Sequence, residues 1–338
     1  MTLDQNVSWV TEPGAPVTAV FDGVSDGAAA AGLLAAHCGD LRSVLDRHGA
    51  LFLRGLPVHT AEDFALVRDA LFAERAKYQE KATPRSDFGD DVFSSTDLPP
   101  AQSIRMHNEN SYTLTFPGTL LFGCLTAPEE GGATPVADVR KVLSCLPADL
   151  ATRFRVHGWA LTRNYAEHIS LDWRTAFATD SSAEVDRYCA VNAIETDWGE
   201  SGTLRTRQVR PAIVRHPRTG EEAWFNHAAF WSEWTLEPDI REVLVDEFGR
   251  EGLPFNTALG DGTPLTPQEV AALDDAYAQA TVRRAWRPGD LLLVDNVLAA
   301  HGRDPFRGAR KIVVAMGDPT PLADCRPTPP LRLPATTS

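Results

Sequence analysis

His107, Asn108 and Glu109 set an imidazole and a carboxylate two residues apart, and His301 stands far downstream in the run Asp295-Asn-Val-Leu-Ala-Ala-His-Gly-Arg-Asp-Pro-Phe-Arg-Gly-Ala-Arg310. On a strand, residues i and i+2 project from the same face roughly 6.5 to 7 Å apart, so His107 and Glu109 can reach one ion. Two imidazole nitrogens and one carboxylate occupy one face of an octahedron and leave three positions open, the ligand set of non-haem iron(II) oxygenases. A His-x-Glu step alone is a weak signal in a chain with nine histidines and 46 acidic residues, so its flanks have to decide.

The elements that must hold these residues can be read from pattern. Helical spacing of Leu33, Leu34, Leu41, Val44 and Leu45 predicts one amphipathic helix from Asp26 to Arg47, stopped by Gly49. Ala50 to Arg54 reads as a buried strand, and Thr60 with Asp63 as the capping box of a second helix through Phe64, Val67 and Leu71. Lys81 to Pro100 has no sustained period and reads as a long loop or lid. Strands are expected at Ile104 to Glu109, Thr119 to Leu125 and Thr134 to Ala137.

From Asp138 to about Ala193 the pattern turns helical, an insertion placed at about 138–200. Strands resume at Pro211 to Val214 and Ala223 to Asn226, followed by helices at Ile240 to Phe248 and Thr266 to Ala280, the latter with Pro267 in its first turn. Val282 to Trp286, Leu291 to Val294 and Lys311 to Met316 close the strand set. This is an α+β chain with a mainly β core, and short strands around a helical insertion predict a double-stranded β-helix, a cupin-like jelly roll with flanking helices. One domain is expected over 1–317, with a loosely attached Pro-rich tail over 318–338.

The 338 residues carry a formal charge of -14, which argues against nucleic acid as a partner, because phosphate binding needs a clustered positive surface. A local exception is the basic stretch of Arg205, Arg207, Arg210, Arg215 and Arg218, read as a solvated strand edge or loop, or as a dock for an acidic partner. Five cysteines without paired spacing read as reduced thiols, and the N-terminal segment lacks a basic region and an apolar run. The expectation is a cytoplasmic protein with no membrane partner. There is no phosphate-cradling glycine loop of the Walker or Gly-x-Gly-x-x-Gly kind.

Several runs, in order, resemble the TauD/TfdA-like Fe(II)- and 2-oxoglutarate-dependent oxygenases, in particular their SyrP-like branch. They are Gly49-Ala-Leu-Phe-Leu-Arg-Gly55, Thr83-Pro-Arg85, Ser95-Thr96, Ile104-Arg-Met-His-Asn-Glu-Asn-Ser-Tyr112, Gly131-Gly-Ala-Thr-Pro-Val-Ala-Asp-Val-Arg140, Trp224-Phe-Asn226, the Asp290 to Asn296 strand and the run from His301 to Arg310. The resemblance spans most of the chain. It implies Fe(II) held by His107, Glu109 and His301, O2 as oxidant, and 2-oxoglutarate as co-substrate.

The resemblance further implies that the far carboxylate of 2-oxoglutarate meets an arginine after the distal histidine. Arg310 is the choice, since a planar guanidinium can grip a carboxylate bidentately; Arg303 and Arg307 are its rivals. Thr134 would add a hydroxyl donor to the same carboxylate. Some relatives carry a second arginine four residues further on, where this chain has Val314. Arg85, Arg163, Asn226 and His227 are candidates for binding substrate, with loop bracing or core packing as the alternative for each.

The reaction implied is hydroxylation of an unactivated C–H bond with release of succinate and CO2, because related halogenases lack the carboxylate that Glu109 supplies. Desaturation, epoxidation or cyclisation start from the same hydrogen abstraction. The branch implies an amino-acid-like small molecule in specialised metabolism, free or tethered to an acidic carrier protein. Two rivals of other classes are a non-catalytic metal-binding jelly-roll module and a zinc hydrolase. The hydrolase should show a helical His-Glu-x-x-His or a similar general base, whereas His107 to Glu109 reads as strand.

Overall fold

In the computed structural model, the described residues are 7–76, 86–95, 98–165, 170–200 and 202–330. Two sheets carry the site. The larger has seven strands, in the order Val7–Val10, Val17–Phe21, Ala50–Arg54, Leu291–Asp295, Thr115–Thr126, Lys311–Pro321 and Phe93–Ser94. The smaller has four, in the order Thr281–Val282, Val136–Asp138, Ala299–Arg303 and Ile104–His107. Together they form the double-sheet jelly roll expected from the sequence.

Strand periodicity explains why the larger sheet's central strands are almost unbroken apolar runs. Phe52, Leu120, Phe122, Leu292, Val294, Val314 and Met316 point one way and pack with Val136 and Ala299 of the smaller sheet. Their neighbours Leu51, Leu53, Leu121, Leu291, Leu293, Val313 and Ala315 point the other way, onto Ala30, Leu34, Leu41, Leu45, Phe64 and Val67 of the helices. A strand covered on both faces has no polar side to alternate with.

The predicted first helix is two, Gly27–Ala36 and Cys38–His48, joined through non-helical His37 (φ -103, ψ 9). Gly39, just inside the second, weakens a continuous helix there. Thr60 and Asp63 form the predicted capping box of Ala61–Leu71, and Thr266 with Glu269 forms another ahead of Pro267–Ala280. The predicted lid lies partly outside the described residues; its later part carries the short strand Phe93–Ser94, paired to Val313 and Val314.

Beyond Asp138 the expected helices Val139–Cys145, Ala148–His157, Trp173–Phe177 and Ser182–Val191 are present. They alternate with strands that helical reading missed. Ile194–Trp198, Leu204–Arg210, Trp159–Tyr165 and Phe255–Leu259 form a separate four-stranded sheet in that order. The segment expected as a strand from Val282 to Trp286 is strand only at Thr281–Val282. Ala299–Arg303, which carries His301, is a strand that pattern did not reveal.

The expectation of a loose tail from residue 318 needs correction. The Lys311–Pro321 strand continues past Asp318 to pair Pro321 with Thr115, and Leu322 and Cys325 are fully buried. Thr328 then bridges to Ile213. All five cysteines are free thiols. Among the described residues no helix is long and apolar enough to cross a membrane.

Candidate metal centre and its pocket

His107 and His301 face each other as direct partners across the antiparallel strands Ile104–His107 and Ala299–Arg303. Their ring centroids lie 4.4 Å apart. A bulge follows His301, and Gly302 makes it possible: a Cβ there would sit 2.6 Å from the Ile104 carbonyl oxygen. The strand ends at His107, so Glu109 comes from the turn after it and not from the i, i+2 face of a strand as the spacing predicted.

That turn is nevertheless fixed. Asn296 Oδ1 accepts the Glu109 backbone N–H at 2.7 Å, and its Nδ2 donates to the carbonyls of Glu109 and Pro117 at 2.8 and 2.7 Å. Asn108 Nδ2 donates in turn to the Asn296 carbonyl at 2.7 Å. Glu109 Oε2 then lies 3.8 Å from His107 Nε2 and 3.7 Å from His301 Nε2. His107 Nδ1 donates to the Arg105 carbonyl at 2.9 Å, which puts the proton on Nδ1 and leaves Nε2 a lone pair for a metal. Phe230 packs on His107 at 4.8 Å and Phe122 on His301 at 5.1 Å, giving the three buried donors an apolar wall. Two imidazole nitrogens and one carboxylate oxygen within mutual reach suit an octahedral divalent cation with open positions.

One narrow cavity joins these histidines to Ser95, Thr134, Arg303 and Arg310. Arg310 donates from Nε to the Gly132 carbonyl at 3.0 Å, and from its terminal nitrogens to Ser95 Oγ at 3.0 Å and Thr134 Oγ1 at 3.4 Å. Among the described residues no carboxylate pairs with it. Burial, with the charge of Arg303 added, pushes its pKa down to about 10. Thr134 Oγ1 also accepts from Trp286 Nε1 at 3.2 Å, so both N–H contacts use its lone pairs and its own proton is left to donate.

The rival arginines are placed differently. Arg303 braces the preceding loop, donating to the carbonyls of Leu98, Pro99 and Gln102. Arg307 is exposed and pairs with Glu130 at 3.5 Å. Arg85 lies outside the described residues. Arg163 is buried in the separate sheet, its guanidinium 4.7 Å from the Tyr165 ring and 5.1 Å from the Phe255 ring. Asn226 spends its amide on the backbone, donating to the Ala212 carbonyl and accepting from the Ala228 N–H, which marks it as a brace of its own turn.

His227 is brought to the centre, 5.5 Å from His107 between ring centroids and stacked on Trp231 at 4.4 Å. Burial, then the neighbouring His107, holds its pKa well below the usual histidine range. Asn108 and Asn296 are the contributors that sequence reading passed over; their signal was two asparagines inside the runs bearing the candidate ligands.

The basic stretch is not a bare cationic face. Leu204–Arg210 is an interior strand of its sheet, Arg205 pairs with Glu251, and Arg207 pairs with Glu195. Arg210 is buried and donates to the carbonyls of Tyr112 and Asn192. Arg215 pairs with Glu222, and Arg218 pairs with both Asp46 and Asp295. A second group of possible metal donors, Asp46, His216 and Asp295, is thus already bridged by a guanidinium.

The model of the family described as taurine catabolism dioxygenase TauD, TfdA family matches residues 12–316. The dapdiamide synthesis protein DdaC of Enterobacter agglomerans is 35% identical over 285 residues, covering 84% of this chain and 87% of that one. A clavaminate synthase-like protein of Arabidopsis thaliana is 28% identical over 290 residues, 82% of this chain and 83% of the other. Among solved structures, the Fe, alpha-ketoglutarate dependent oxygenase PvcB superposes with a TM-score of 0.53 at 17% identity, over 94% of this chain and 93% of that one. AAD-2, solved with Mn(II) and N-oxalylglycine, gives 0.55 at 12% identity, over 96% and 100%.

Proposed function

The chain belongs to the TauD/TfdA dioxygenase family, and we propose on that premise that it hydroxylates an unactivated C–H bond of an amino-acid-like small molecule, using Fe(II), 2-oxoglutarate and O2. The observation that carries this reading is the shared cavity. His107 and His301, which converge with Glu109, line one end, and an arginine without a carboxylate partner among the described residues stands with a donor hydroxyl at the other.

His107, Glu109 and His301 would hold the iron, which supplies oxygen activation driven by decarboxylation of the co-substrate. The rest is work for this chain's own groups. Arg310 and Thr134 grip the distal carboxylate of 2-oxoglutarate and so orient its keto acid end toward the metal ligands. Asn296 and the Arg105 carbonyl fix two of the ligands before anything binds, so little reorganisation is needed on loading. Phe122 and Phe230 keep bulk water from the ligand face. Glu109 fills the ligand position that halogenation would need for chloride, which supports hydroxylation as the outcome.

The likeness to a dapdiamide synthesis protein supports a substrate from specialised metabolism. The ion pairs along Arg205 to Arg218 support a free substrate over one tethered to an acidic carrier protein, because they cancel the charge such a carrier would seek. The test is anaerobic titration of Fe(II) and 2-oxoglutarate, following the weak visible charge-transfer band of the chelate in wild type and Arg310→Ala. A band in wild type that is lost or much weaker in the variant supports the assignment; no band in wild type with metal bound overturns it.

A further inference from the structure

Beside the ligands lies a hydrogen-bonded pair that neither metal binding nor co-substrate binding uses. Ser111 Oγ and His227 Nδ1 are 2.6 Å apart, and the two residues are 1% and 3% exposed. The pair lies in the aromatic wall next to His107. His227 stacks on Trp231, with Tyr112 and Phe230 edge-on to its ring at 5.4 and 5.3 Å.

The direction of this hydrogen bond follows from counting protons. If Nδ1 carried the proton and donated, the buried hydroxyl hydrogen and the Nε2 lone pair would both lack partners among the described residues; if the hydroxyl donates, only the Nε2–H does. Ser111 therefore donates and Nδ1 accepts, which places the imidazole proton on Nε2. Nε2 has no protein partner among the described residues, although the ring is almost wholly buried. His227 packs on His107, whose ring lines the cavity, with centroids 5.5 Å apart, so an acceptor on a molecule bound there can answer this donor.

Building on the proposed oxygenase function, we infer that His227, locked in its Nε2–H tautomer by Ser111, is a substrate-positioning donor that binds a carbonyl or carboxylate oxygen of the substrate. A substrate with only amines or hydrocarbon near the oxidised carbon would leave this donor unpaired. That is how a buried polar site discriminates. Amino acids, their amides and acylated amines qualify, whereas simple alkylamines do not.

The first test needs no turnover. In metal-free protein labelled with 15N in histidine, imidazole long-range NMR should show His227 with Nε2 protonated and Nδ1 bare. Ser111→Ala should lose that preference. An Nδ1–H tautomer in wild type would overturn the inference and leave the oxygenase reading untouched.

The second test follows succinate release with free L-amino acids, their amides and the matching alkylamines as probes. Stimulation by carbonyl-bearing compounds alone is expected. His227→Leu should raise KM for the best of them roughly ten-fold, His227→Gln should recover part of it through its amide N–H, and both should keep the wild-type Fe(II)–2-oxoglutarate band. Equal stimulation by alkylamines, an unchanged KM in His227→Leu, or loss of the band in that variant would each count against a substrate-positioning role. The last of these would make His227 a prop for His107.

Discussion

The side-chain amide of Asn296 holds the backbone of Glu109 at both ends, accepting its N–H at 2.7 Å and donating to its carbonyl at 2.8 Å. A metal ligand on a turn would ordinarily be less well placed than one on a strand, and this clamp gives the turn the rigidity of the sheet. Asn296→Ala removes both contacts and leaves the three proposed ligands in the chain. The expected result is Fe(II) affinity about 10- to 100-fold weaker with the fold retained, measured by anaerobic metal titration beside circular dichroism. Unchanged affinity would mean that the turn holds itself.

Arg310 is a charge kept partly buried without a carboxylate of its own among the described residues. Its pKa is pushed down to about 10 against an ordinary 12.5, so the unfolded chain binds the proton more tightly. The folded state is penalised at every pH below about 10 and relieved as pH rises through that value. Between pH 6 and 9 this penalty is constant. A bound dicarboxylate should offset it. 2-Oxoglutarate is therefore expected to raise the Tm of wild type in mass-action fashion, while Arg310→Met should match or exceed wild-type Tm without ligand and show no such rise. Differential scanning fluorimetry with Mn(II) checks both, and an equal shift in the two proteins would remove Arg310 from the site.

How far the sequence reaches can be judged residue by residue. His107, Glu109 and His301 were legible as candidate metal ligands because few side-chain types bind metal, and the structure brings the three together; the two capped helices were legible because Thr60 and Thr266 satisfy local backbone donors with their own side chains. The strand bearing His301 was not, since Ala-Ala-His-Gly-Arg has no alternation to read; it is buried on both faces. Leu204–Arg210 hid for the opposite reason. Its inward positions include Thr206, Gln208 and Arg210, so polar residues stand where a core strand would show apolar ones. The hold of Asn296 on Glu109 joins residues 187 apart in sequence and follows from topology alone.

Asp295, one residue before that clamp, is fully buried and accepts from His216 Nε2 at 3.0 Å and Arg218 at 2.7 Å. Burial raises its pKa, but the hydrogen bond and charge of His216, with Arg218, prevail and hold it below the usual value. A carboxylate with a depressed folded pKa contributes stability that is complete above about pH 4 and is lost as pH falls below that toward the folded value. Asp295→Asn should cost about 3–5 kcal/mol at neutral pH, the typical result of leaving one partner of a buried pair alone. The difference from wild type should shrink below pH 4. Urea unfolding at pH 7 and pH 3.5 measures it, and a difference independent of pH would assign the loss to the backbone N–H bonds that Asp295 also accepts from Val297 and Leu298.

Leu322 tests whether the chain beyond Asp318 is part of the core. It is fully buried within the cluster that holds Tyr112, Phe116 and Phe225, and its backbone N–H donates to the Leu114 carbonyl at 2.8 Å. Tyr112 and Leu114 lie three and five residues after Glu109, so the segment that closes the fold also backs the turn carrying a proposed metal ligand. Leu322→Ala should lower stability by about 2–4 kcal/mol, as expected for a core leucine whose surroundings cannot fully collapse. Fe(II) affinity measured well below the Tm should fall with it if the backing matters to Glu109. Urea denaturation and metal titration on the same preparation separate the two effects. A loss under about 0.5 kcal/mol, the range of an ordinary surface substitution, would return the segment to the loose tail its prolines imply.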